Sequence, residues 1–141
     1  MKLIGARLLV QTVQGLEKGI LKEKAQDELI SETAIRHAPK IFTDTCKINW
    51  NDSAEHIHNL IRGLSPYPGA LTILDEKVLK IFSSRKETGI TSNTPGTMQT
   101  DGKTYLRFTC TDGYIYVLQM QLEGKKKMSV EDFLRGYRPL Q

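Results

Sequence analysis

The sequence predicts a mainly β domain, a small Greek-key barrel with flanking helices, preceded by a helix and an extended connector. Two observations predict it. After Gly69 the apolar residues recur with a period of two, as they do on half-buried strands. The runs that result are Ala70 to Leu74, Lys77 to Phe82, Thr97 to Gln99, Tyr105 to Thr109 and Tyr114 to Leu122. The second observation is the punctuation: Asp75-Glu76, Asp101-Gly102 and Asp112-Gly113 are turn signals, the last two favouring tight hairpins. Short strands joined by glycine-bearing turns suit a small closed sheet.

The elements around the strands follow from spacing and capping chemistry. Leu8, Leu9, Val13 and Leu16 lie at helical intervals, so an amphipathic helix is expected over Lys2 to Glu17, stopped near Gly19. Its apolar stripe calls for a partner. From Gly19 to Phe42 the pattern is irregular and polar, with Pro39 as a breaker, and reads as a connector. Asn51 or Asp52 can cap a second helix with Glu55 in its first turn, and Ile57, Leu60, Ile61 and Leu64 line one face. Pro66 and Pro68 end it. Ser83 to Gly96 shows no period and is expected to be a mobile loop. At the end of the chain Ser129 and Asp132 have the form of a capping box. There the hydroxyl accepts from first-turn amides and an acid answers it. Gly136 can then close the short helix in a left-handed conformation.

Composition narrows the function classes. The chain has 141 residues, enough for one domain with a modest core, and 39% hydrophobic with 26% charged residues fits a globular rather than a disordered chain. No apolar run approaches the roughly 20 residues that span a bilayer. Lys2 and Arg7 interrupt the first stretch, so no secretory signal is expected either. Cys46 and Cys110 form no CxxC motif, which argues against a disulfide framework or a zinc site and fits the reducing cytoplasm. His56 and His58 fall on different faces of the second helix and cannot chelate one ion together; His37 has no visible partner. Cys46 or Cys110 would need a neighbouring base to act as a nucleophile, and the sequence shows no such motif; Asp27, Glu28 and Glu32 read as a solvated acidic segment. The net charge of +4 is mild. Its placement says more: Lys125 to Lys127 are contiguous, and Lys77, Lys80, Arg85 and Lys86 lie close together. A solvated surface and a phosphate-contacting one both accommodate that pattern.

Four segments carry a family resemblance. Lys125 to Gly136, with Met128-Ser129 followed by Asp132-Phe133-Leu134, is similar to the signature that closes methionyl-tRNA formyltransferase chains. Lys47-Ile48-Asn49-Trp50 and Ile61-Arg62 through Pro66, Pro68, Gly69 and Ala70 resemble the family's linker and the start of its C-terminal domain. Ala38-Pro39-Lys40-Ile41 resembles the segment upstream. The motifs keep their order over nearly the whole chain, although Asn49 stands where the family usually has Asp. The resemblance implies an OB-like barrel over residues 43–141, and over residues 1–42 the last helix of a catalytic domain plus a connector. It implies a parent enzyme that formylates initiator methionyl-tRNA with 10-formyltetrahydrofolate. The family's catalytic Asn, His and Asp sit on an N-terminal domain that these residues do not include. The chain is therefore expected to hold no catalytic residue, metal or cofactor of its own. The partners implied are initiator tRNA and the missing catalytic domain.

On this reading Lys40, Lys47, Arg62, Lys125, Lys126 and Lys127 are the candidate tRNA-binding residues, their cations displacing counterions from phosphates. Each has a plainer alternative. The lysines also suit a solvated surface, and Arg62 could tie the helix end to the proline turn. Trp50 reads as a core anchor with its indole NH on the backbone rather than as a base-stacking residue. For Tyr105, Phe108, Tyr114 and Tyr116, alternation between core and surface is favoured over a stacking platform. A related C-terminal domain that never meets RNA, from a formyltransferase acting on an amino-sugar nucleotide or on folate, stays open at this point. So does a domain that only packs on its partner.

Overall fold

The computed structural model describes residues 2–25 and 38–138. Asp27, Glu28, Glu32, His37 and the middle of the expected connector lie outside the described residues. The chain divides into two compact units, Met1–Pro39 and Lys40–Gln141.

The first unit holds helix α1, Lys2–Glu17. Gly19 stops it, with φ +65°. The Gly19 amide donates to the Leu16 carbonyl and the Ile20 amide to the Gly15 carbonyl, both at 3.0 Å. Those two bonds satisfy carbonyls that the helix end would otherwise orphan. Leu8, Leu9, Val13 and Leu16 are exposed along the helix.

The second unit is an antiparallel sheet curled into a half-barrel, with helices on its flanks. Its strands are β1 (Ala70–Leu74), β2 (Lys77–Thr88), β3 (Met98–Thr100), β4 (Leu106–Cys110), β5 (Gly113–Leu122) and β6 (Met128–Ser129). The order across the sheet is β1-β2-β5-β4-β3, with β6 pairing further along β5. The short β6 pair was not expected from sequence. Asp75 and Glu76 both take positive φ, 48° and 64°, and make the two-residue turn between β1 and β2.

Two of the expected element boundaries need correction. β2 does not end at Phe82 but runs to Thr88, and only the segment beyond it is a loop. A register shift around Phe82 and Ser83 breaks the alternation. Ser84 then takes an inward position, opposite the buried Val117. Its hydroxyl bonds His58 Nδ1 at 2.9 Å. A bulge and an inward serine hide the strand from a period-two reading. The second correction concerns helix α2, Ala54–Leu64. Its cap is Ser53, whose Oγ accepts from the His56 amide at 3.2 Å. Asp52 instead accepts from the Ser53 amide at 2.7 Å and from His56 Nδ1 at 3.0 Å.

The core lies between α2 and the inner face of the sheet. Ala54, Ile57, Ile61 and Leu64 of α2 meet Leu79, Ile81, Leu106, Phe108, Ile115 and Val117. Trp50 covers one end. Its ring stacks on Phe108 at 4.6 Å, and its indole NH donates to the Thr72 hydroxyl at 3.0 Å, not to backbone as the sequence suggested. Such an aromatic pair is worth about 0.5–1.5 kcal/mol beyond burial. Trp50 is thereby committed to packing. Cys46 and Cys110 are both buried free thiols, and burial pushes the Cys110 thiol up.

Helix α3, Val130–Gly136, closes the described chain. Ser129 Oγ accepts from the Asp132 amide at 3.1 Å. The acid answers the hydroxyl itself, at 2.9 Å, rather than the cap's amide. Gly136 does not turn left-handed: the helix runs through it and ends at Tyr137, φ −87°. Tyr137 supplies the stop by packing. Its ring stacks on Phe133 at 4.7 Å and its hydroxyl donates to Asp75 at 2.7 Å. Burial, with Asp75 alongside, pushes this phenol up to about 12.

His58 gives the domain an acid-sensitive joint between α2 and β2. Burial pushes its imidazole below the ordinary value, and Arg62 adds to the effect. The neutral ring is therefore the form that the fold prefers. Stability is full above the unfolded-state value of about 6.5 and falls as pH drops through the lowered folded value. The melting temperature is expected to decline as the pH falls below about 6.5, and His58→Gln should flatten that decline. An unchanged slope in the variant would show that other groups cause it.

Candidate nucleic-acid interface

The lysine run occupies the turn from β5 to β6. Gly124 takes φ +75°. The Lys125 amide donates to the Leu122 carbonyl at 2.9 Å, and Gln121 Nε2 donates to the Lys125 carbonyl at 2.9 Å. The backbone is thus held while the three side chains stay exposed. Among the described residues none of the three meets a carboxylate within 4.0 Å. Lys127 lies across the sheet, its Nζ 4.6 Å from the centre of the Phe82 ring. Register fixes the side on which this happens. Met128 pairs with Met120, which faces the core, so Lys127 belongs to the outer face.

The other predicted cations scatter. Lys40 is exposed at the start of the unit, 5.7 Å from the Phe42 ring. Lys47 sits beside β1 through its bridge to Leu71, and its ammonium pairs with Asp44 at 2.7 Å. That bond holds the Asp44 carboxyl below its usual range and the Lys47 amine above its own. Lys47 is therefore already half-committed. Arg62 is exposed on α2 and donates to Asn59 at 3.2 Å. Its side chain does not tie the helix end to the proline turn. Because α2 covers the inner face, Arg62 stands on the opposite side of the sheet from Lys127. Lys86 also turns inward, pairing with Glu55 of α2.

A row of side chains lies on the outer face; of these the sequence raised only the tyrosines, as a stacking platform that it did not favour. Gln99, Arg107, Tyr116 and Arg85 are register partners across β3, β4, β5 and β2. Tyr105, Tyr114 and Tyr116 are half-buried around Arg107, whereas Phe108 is core. The alternation of Arg107 with Leu106 and Phe108, and of Tyr114 and Tyr116 with Ile115, was a readable signal. Its convergence into one row needed the strand pairing. Among the described residues no group of His, Cys, Asp and Glu side chains could hold a metal ion. None of their helices is long and apolar enough to cross a membrane.

The model of the formyl transferase C-terminal domain matches residues 40–138. The chain belongs to that family. Curated relatives include methionyl-tRNA formyltransferases of Phocaeicola vulgatus, 45% identical over 96% of this chain, and of Bacteroides fragilis, 40% identical over 95%. A further relative of the same name, from Chlorobium phaeovibrioides, is 41% identical over 96%. The chain spans less than half of each, 44%, 43% and 42% respectively. Among solved structures, HypX from Aquifex aeolicus matches with a TM-score of 0.64 over 93% of this chain and 23% of its own. At 17% identity that likeness shows the fold alone.

Proposed function

We propose that this chain is the tRNA-binding portion of a cytoplasmic methionyl-tRNA formyltransferase. Residues 1–42 would be the last helix of its catalytic domain and the connector, and residues 43–141 an OB-like domain. The parent would transfer a formyl group from 10-formyltetrahydrofolate to the amino group of initiator methionyl-tRNA. Placement of the reactive amine is a large part of such a reaction, and this portion would supply it by holding the acceptor arm. One observation carries the reading. Three lysines without a carboxylate partner among the described residues are presented from a held turn at the edge of the outer face. The names of the relatives favour tRNA over an amino-sugar nucleotide or folate as the parent's substrate.

The formyl donor would bind the catalytic domain of that parent.

The test is a titration of the 141-residue chain with unmodified initiator tRNA at several salt concentrations. Micromolar or tighter binding is expected, weakening with a log–log slope of about 0.7–0.9 per phosphate contacted. The chain alone is expected to formylate nothing. Absence of tRNA binding at low salt would overturn the reading.

A further inference from the structure

We propose that the row formed by Arg85, Arg107, Tyr114 and Tyr116 binds an unpaired nucleotide of the RNA. This site deepens the RNA-binding reading and rests on it, but it differs in chemistry from the lysine turn. The Arg107 guanidinium lies 3.9 Å from the centre of the Tyr114 ring and 5.4 Å from that of Tyr116. Arg85 stands 4.1 Å from the same Tyr116 ring. Two planar cations therefore flank one tyrosine.

Arg107 is fixed in place. Its Nε donates to Gln99 at 2.8 Å and one Nη to the Tyr116 hydroxyl at 2.7 Å. Neither bond neutralises it, and among the described residues no carboxylate lies within ion-pair distance. Arg85 shares Glu87 at 3.3 Å, with both side chains about half exposed. The row keeps a net positive charge and a part of its aromatic surface that solvent reaches. Cation–π contact of this kind itself contributes to packing, but it leaves the charge of Arg107 without a carboxylate among the described residues and open to a phosphate.

The chemistry selects among RNA forms. A duplex hides the faces of its bases and offers phosphates and hydroxyls, which lysines satisfy. An unpaired base offers a flat face, which arginine planes and tyrosine rings take up, and its phosphate can meet the free guanidinium donors. Pre-positioned rings and guanidiniums fit the second case. Lys127 lies on the same outer face, so one strand could leave a duplex held at the lysine turn and reach the row.

Fluorescence anisotropy with a labelled single-stranded RNA and a labelled duplex RNA tests this. Arg107→Ala and Tyr114→Ala should each weaken single-strand binding about 5- to 150-fold, the range for losing one stacked base. Duplex binding should stay unchanged. Equal losses on both RNAs, or none on the single strand, would overturn the unpaired-nucleotide site while leaving the RNA-binding reading intact. Failure of the unaltered chain to bind either RNA would overturn that reading and the nucleotide site with it. Photocrosslinking the unaltered chain to a 4-thiouridine-bearing strand avoids any folding defect in the variants. Adducts within residues 105–116 are expected, and adducts confined to the lysine turn would overturn the proposal.

Discussion

Alanine at Lys125, Lys126 and Lys127 together is expected to weaken tRNA binding on the order of 100-fold at about 0.15 M salt. The size follows from counterion release. With a slope of about 0.7–0.9 per phosphate, each lysine contact contributes roughly a 4- to 5-fold factor at that salt, and three multiply. The same variant should lower the log–log slope by about 2 to 3. Folding should hardly change, because the three side chains are exposed and only Lys127 gives up a contact, the one over Phe82. At such exposed sites that contact is worth about 0.5–1 kcal/mol. Position decides the controls. Arg62→Ala removes a cation from the far side of the sheet and should leave affinity near the original. Lys47→Ala should cost less than any unpaired lysine, since Asp44 already shares that charge. A domain that only packs on its partner predicts no change in any of these titrations.

Much of the fold was legible because local chemistry and tertiary structure agree. The span of α1 was readable because Gly19 supplies its stop without help from elsewhere. The inner face of α2 was readable because Ile57, Ile61 and Leu64 repeat at helical spacing, and those three are buried. The misreadings fall where a distant partner overrides a local signal. Ser84 looks like part of a loop until His58 arrives from α2. Trp50 looks bound for a backbone carbonyl until Thr72 offers a hydroxyl. Gly136 looks like a helix stop until Tyr137 finds Asp75. The site divides the same way. The lysine run is contiguous and visible in any reading. The Arg85–Arg107–Tyr116 row draws on strands far apart in sequence, and only the β2–β5–β4 register brings it together.

Gly113→Ala is expected to destabilise the domain by about 3 kcal/mol or more, the upper end for overpacking. In sequence Gly113 follows Asp112 and reads as a turn glycine. Its structural reason is different. A β-carbon there would lie 2.0 Å from the Glu87 carbonyl oxygen and 2.8 Å from the Thr88 α-carbon, both backbone atoms of β2. Thr88 is the register partner of Gly113 and Glu87 that of Tyr114, so the clash falls on the strand pair itself. No flexible side chain can swing aside to relieve it. The end of β2 would have to leave β5, loosening the position of Arg85 beside Tyr116. Gly102 supplies the contrast. It has nothing within 4 Å of a β-carbon but takes φ +74°, so Gly102→Ala should cost only the roughly 1–2 kcal/mol of a left-handed residue. For a domain of about 100 residues, the two variants should lower the melting temperature by about 12–24 °C and about 4–16 °C respectively. Denaturant unfolding resolves the pair independently of temperature. If Gly113→Ala proved no worse than Gly102→Ala, β2 and β5 would be able to part at this end cheaply, and the rigid placement of the guanidinium row would lose its support.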